Sequence, residues 1–155
     1  NALGGGGKAT VIPNQANNLQ NISFSSQTFS IPPLNSKTTR FLCLPLPPGL
    51  QIKMSMDKLE GTIDKNSGEV LLKLESRFLF SIGGILKFPQ LIVKTLLKTA
   101  KVKGKLHRGE GLAIQNNGTT KLVGVSTIPK TGSKILDIFL GLPNEAIAEL
   151  KCKIK

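Results

Sequence analysis

From Thr38 onward, apolar and polar residues alternate with a period of two, which limits the chain to strands with one buried face. Leu50, Ile52, Met54 and Met56 share one face, while Gln51, Lys53 and Ser55 share the other. The apolar phase then slips to Leu59, Gly61 and Ile63. A single inserted residue produces such a slip, so a β-bulge is predicted near Asp57 and Lys58. Asp64-Lys65-Asn66-Ser67-Gly68 separates this run from the next and reads as a hairpin turn. The return strand puts Val70, Leu72, Leu74, Phe78, Phe80 and Ile82 on one side, against Lys73, Glu75 and Arg77 on the other.

Gly83-Gly84 ends that strand, and the segment 89–107 supports two readings. Lys94, Lys98, Lys101 and Lys105 recur at helical spacing and would form one cationic stripe. Ile92, Val93, Thr95, Thr99 and Val102 favour a strand, and Ala100, Val102, Gly104 and Leu106 alternate with Lys101, Lys103 and Lys105. The strand reading is adopted. A second hairpin is expected from Leu112–Gln115 through the Asn116-Asn117-Gly118 turn into Lys121–Ile128, and Pro129 stops it. Ser133 is placed to cap a short helix through Ile135, Leu136, Phe139 and Leu140, ended by Gly141-Leu142-Pro143. The last strand sets Ala146, Ala148, Leu150, Cys152 and Ile154 against Glu149, Lys151, Lys153 and Lys155.

These elements amount to six or seven strands joined by hairpins, and a twisted sheet of that size must curl or fold onto itself to bury its apolar face. The expected fold is therefore all-β and mainly antiparallel: a single barrel or sandwich with at most one short helix. Residues 1–36 form a separate extended arm, and residues 37–155 form the β domain. The arm carries Gly4–Gly7, an amide-rich stretch from Asn14 to Asn21, three prolines and one charge, Lys8, with a strand expected around Ile22–Phe29. So little charge with so many amides suits a segment that lies along its own domain or a partner. The chain opens on Asn1 rather than Met, which reads as a processed or trimmed product.

Charge supplies the strongest functional signal. The chain of 155 residues carries a net charge of +12. Eight basic residues and no acid lie between Glu75 and Glu110, and the chain ends Lys151, Lys153, Lys155. Such asymmetry predicts attraction to a polyanion, an acidic protein surface or an anionic lipid face. The plainer reading is a solvated, lysine-rich surface that keeps a β protein soluble. Lysine dominates over arginine, which suits diffuse attraction better than bidentate recognition. Nucleic-acid binding by a β fold interleaves stacking aromatics with cations, yet the seven Phe leave Lys94–Ile128 without one, and Tyr and Trp are absent.

Catalytic and metal signals are weak. His107 is the one histidine and lies among Lys105, Leu106 and Arg108, surrounded by positive charge and with no neighbouring carboxylate expected to orient it. Asp57, Glu60 and Asp64 are the densest acids, and outward strand positions explain them better than a paired-carboxylate or cation site. Gly4-Gly5-Gly6-Gly7-Lys8 lacks the Ser or Thr of a phosphate loop, and Gly104, Gly109 and Gly111 do not match a dinucleotide fingerprint. Cys43 and Cys152 form one disulfide or remain two buried thiols, and with one His they make no usual zinc site. Asn21-Ile22-Ser23 and Asn117-Gly118-Thr119 fit the glycosylation pattern, which is short enough to arise by chance. No apolar run reaches the ~18 residues of a spanning helix.

Four apolar runs carry a resemblance: Arg77-Phe78-Leu79-Phe80, Leu91–Leu97, Lys121–Val125 and Phe139-Leu140-Gly141-Leu142-Pro143. Together they resemble a group of β-rich plastid proteins of algae. The resemblance covers the second half of the chain and brings no catalytic residues with it. It implies a plastid setting, as a peripheral subunit beside a photosynthetic (thylakoid) membrane complex.

The expectation is a non-catalytic accessory subunit with no cofactor and no metal. It would dock on an acidic protein complex or anionic membrane surface through Lys94, Lys98, Lys101, Lys103, Lys105, Arg108, Lys151, Lys153 and Lys155. The alternative is a carrier holding a lipid or pigment inside a barrel lined by Met54, Leu72, Leu74, Phe78 and Phe80. Nucleic-acid binding and catalysis rank behind both.

Overall fold

The computed structural model describes residues 5–13, 18–26, 40–41, 44–45 and 47–154. Cys43, Phe29 and Lys155 lie outside them, as does most of the stretch between the arm and Pro47. The first elements are β1 (Ala9–Pro13), β2 (Leu19–Phe24), β3 (Arg40–Phe41), β4 (Leu44–Pro45), β5 (Leu50–Asp64) and β6 (Val70–Ile82). There follow β7 (Leu86–Lys87), β8 (Leu91–Lys98), β9 (Lys101–Lys103), β10 (Arg108–Glu110), β11 (Thr119–Ile128), α1 (Lys134–Leu140) and β12 (Asn144–Lys153).

Seven of these strands lie side by side in the order β1-β2-β5-β6-β8-β11-β12, each antiparallel to the next. Ala9–Pro13 and Leu19–Phe24 of the arm are thus part of the sheet, since β2 pairs with β5 from Leu19↔Asp64 to Phe24↔Leu59 and β1 forms the edge. The sheet is not closed, so the fold is an all-β sandwich with a short helix rather than a barrel. Short strands β3, β4, β7, β9 and β10 take the total beyond the expected six or seven. The segment 89–107 is extended, but as two strands in different sheets.

The local chemistry explains each turn. Asp64 Oδ1 accepts from the N–H of Asn66 at 2.8 Å and of Ser67 at 3.3 Å, which folds the β5–β6 hairpin. The register of that hairpin shifts between Met56 and Lys58, leaving Asp57 as the bulge. The bulge lets Met56 and Leu59 both face the core. In the turn before β11, Gly118 has φ +80 and sits against the Ile154 carbonyl, where a Cβ has no room. The expected strand at 112–115 is reduced to one bridge, Leu112↔Lys121, because Ile114 N–H bonds to Gly68 O across the first hairpin instead. Ser133 caps α1 by accepting the Leu136 N–H, and Gly141 ends it in the left-handed conformation.

Inward residues form two packing groups. Leu50, Ile52, Phe80, Leu91, Val93 and Ile128 pack with Leu136 of α1 at one end. Ile22, Met56, Leu59, Val70, Leu72, Leu97 and Leu122 pack at the other. Between them the inward face carries the small residues Ser76, Thr95, Gly124 and Ser126. The second group draws on β2 near one edge and is covered by Ala148, Leu150 and Cys152 of β12 at the opposite edge. The sheet therefore curls around its core, with α1 capping one end. Each buried Leu contributes roughly 1.5–3 kcal/mol by leaving water.

Candidate binding surface

Alternation sends the charged residues of β5, β6, β8, β11 and β12 to the opposite, convex face. Cross-strand register fixes their neighbours. On β6 and β8, Leu71 faces Lys98, Lys73 faces Leu96, Glu75 faces Lys94 and Arg77 faces Ile92. On β5 and β6, Lys53 faces Leu79 and Lys58 faces Glu75. The result is a ladder in which cations stand beside either a carboxylate or an exposed aliphatic side chain, with Leu71, Leu79, Ile92 and Leu96 all open to solvent.

The bulge places Asp57 against Arg77, whose Nε donates to Oδ2 at 3.0 Å while Nη2 donates to Oδ1. Hydrogen bonding to Arg77 holds the Asp57 carboxyl below its ordinary value, against a smaller opposing effect of burial. Lys58 pairs with Glu60 at 2.8 Å, Lys94 with Glu75 at 3.4 Å, and Lys121 with Glu149 at 3.6 Å.

The β9–β10 hairpin lies on this convex face. Val102 and Gly109 are paired and face inward, where Gly109 meets Ile147 and the fully buried Val123. Lys101, Lys103, Arg108 and Glu110 face away from the sheet. The hairpin tip is held by Glu145, at the start of β12. Its carboxylate accepts the N–H of Lys105 at 2.7 Å, of Leu106 at 2.8 Å and of His107 at 2.7 Å. A Cβ on Gly104 would fall 2.5 Å from that carboxylate, so a side chain there would displace it from the hairpin tip. Oε1 also lies 3.3 Å from His107 Nδ1, which corrects the expectation of a histidine without a carboxylate. Partial burial pushes the Glu145 carboxyl up, but the three main-chain bonds and His107 together outweigh it and lower it to about 2.

Of the expected docking residues, those that are described stand at outward positions on the convex face or on the hairpin packed over it, and Lys155 lies outside the described residues. Lys94 and Lys98 rise from β8, and Lys101, Lys103, Lys105 and Arg108 from the hairpin above it. Lys151 and Lys153 come from β12. Lys94, Lys101 and Lys151 have carboxylates in reach, at Glu75, Glu110 and Glu149. Among the described residues, Lys98, Lys103, Lys105, Arg108 and Lys153 have none within 4.0 Å. The stretch Lys94–Arg108 is acid-free in sequence but not in space, because Glu75 and Glu145 arrive from other strands and Glu110 pairs back across the hairpin.

The expected lining residues are divided. Leu72 is buried in the group with Leu97, and Leu74 packs against it. Phe80 is buried in the group with Leu136, and Phe78 packs against that one. Met54 is paired with Phe78 and, like it, only partly buried. Burial raises the Cys152 thiol, the free cysteine among the described residues. Among the same residues no cluster of His, Cys, Asp and Glu is placed to hold a metal ion, and no helix is long and apolar enough to cross a membrane. No family model, curated protein or solved structure matches the chain.

Proposed function

We propose that the protein is a non-catalytic accessory subunit that lays its convex face on an acidic protein surface of a larger complex. The observation that carries this reading is the set of five uncompensated cations, Lys98, Lys103, Lys105, Arg108 and Lys153, raised on one side of the sheet. The exposed Leu71, Leu79, Ile92 and Leu96 on the same convex face, with Leu71 paired to Lys98, supply the apolar contact that a purely charged face lacks. The resemblance to algal plastid proteins supports a site beside a photosynthetic membrane complex.

The test replaces Lys98→Glu, Lys103→Glu and Lys153→Glu in one chain. All three side chains point away from the core, so the fold is retained. The wild-type chain should elute with an assembly at low ionic strength, and the variant should elute alone. A variant that stays in the assembly contradicts the reading.

A second reading, a lipid or pigment carrier, draws on the uncharged inward face and on Met54, Leu74 and Phe78, which are only partly covered there. Native mass spectrometry would then find a small molecule on the purified chain. The bare mass would exclude it.

A further inference from the structure

The end of the sheet capped by α1 carries apolar residues that no packing explains. Ile135 and Ile138 lie on the outward side of α1 and are 73% and 81% exposed, while Leu136 of the same helix is in the core. Ile85, 90% exposed, stands at the tip of the turn between β6 and β7, next to exposed Leu86. That turn belongs to the same end, because Gly83 N–H bonds to Gly49 O beside Leu50, and Leu50 belongs to the packing group of Leu136.

The charges at this end have one sign in effect. Lys87, Lys130 and Lys134 are exposed beside these isoleucines in the chain. The two carboxylates here are both engaged internally. Asp137 accepts the Thr131 N–H at 2.7 Å and its hydroxyl at 2.6 Å, and Glu145 is taken up by the hairpin tip. Exposed aliphatic side chains on a turn tip and a short helix, with exposed lysines close by in the chain and no competing free carboxylate, are complementary to a flat anionic surface with an apolar layer beneath it. A protein groove would instead call for an extended apolar face, and these residues sit on a turn tip and a seven-residue helix.

We infer that the α1 end is a membrane-contact surface, where Ile85, Ile135 and Ile138 enter the headgroup layer of an anionic bilayer and Lys87, Lys130 and Lys134 meet its phosphates. The inference does not rest on the convex-face reading, and its test alters none of the residues used there.

The test is sedimentation of the intact chain with phosphatidylcholine vesicles, with and without phosphatidylglycerol, and in parallel the chain's oligomeric state without lipid. The comparison variant carries Ile85→Ser, Ile135→Ser and Ile138→Ser. Its net charge is unchanged, so general attraction of a basic protein to an anionic surface is held constant. The wild type should bind the phosphatidylglycerol vesicles, and the variant should bind them roughly tenfold more weakly or worse. Equal binding of the two chains, or no binding of the wild type, overturns the inference. So does a wild-type dimer that the substitutions convert to a monomer, because a second copy would then be what covers these isoleucines.

Discussion

Glu145 holds the β9–β10 tip through three main-chain N–H groups, and they bind its charged form. Its folded value of about 2 lies below the ordinary 4.5, so its contribution to stability is full above the ordinary value. That contribution is lost as pH falls from about 4.5 towards 2. Glu145→Gln should speed amide exchange at Lys105, Leu106 and His107 at neutral pH, and should reduce the loss of stability on acidification. Equal exchange in both chains would show that the tip does not depend on this carboxylate. Neighbouring positions on β8 give a second contrast at this scale. Leu97 is buried and Leu96 exposed, so Leu97→Ala should cost ~2–5 kcal/mol in urea unfolding. Leu96→Ala should stay within about 0.5 kcal/mol.

At the scale of elements, the legible features were those with a local cause. The alternation in β5 and β6, the phase slip at Asp57, the turn at Asp64 and the caps of α1 are each set by residues a few positions apart, and each appears as expected. Ser133→Ala should therefore lower stability by about 0.5–2 kcal/mol, towards the smaller figure because the capping distance is 3.4 Å. No change in the unfolding midpoint would mean that α1 is held by its packing and by Asp137 rather than by this cap. Features with distant partners were not legible. Nothing near Lys103 states that its hairpin folds back over Val123, and Glu145 lies 40 residues from Lys105. The arm's pairing with β5 and the failure of 112–115 to form a full strand are of the same kind. In both, competition between distant segments decided the outcome, and alternation alone carries no information about it.

Over the whole molecule, the fold sorts the chain into an uncharged inward face and a convex face that carries the charge of its long strands. The sequence placed the lysines on strands, but only the topology brings β8, β9, β10 and β12 to one side. It also returns acids from elsewhere to neutralise part of the set. A surface of this kind acts through long-range attraction, which falls with ionic strength as the screening length shortens from about 8 Å in physiological salt to about 3 Å at 1 M. The direct measurement is the size of the wild-type protein in native extract across a salt series. The account predicts sedimentation with a larger assembly at low salt and release of the free protein as salt is raised. A free monomer already at low salt, with nothing bound, would contradict it.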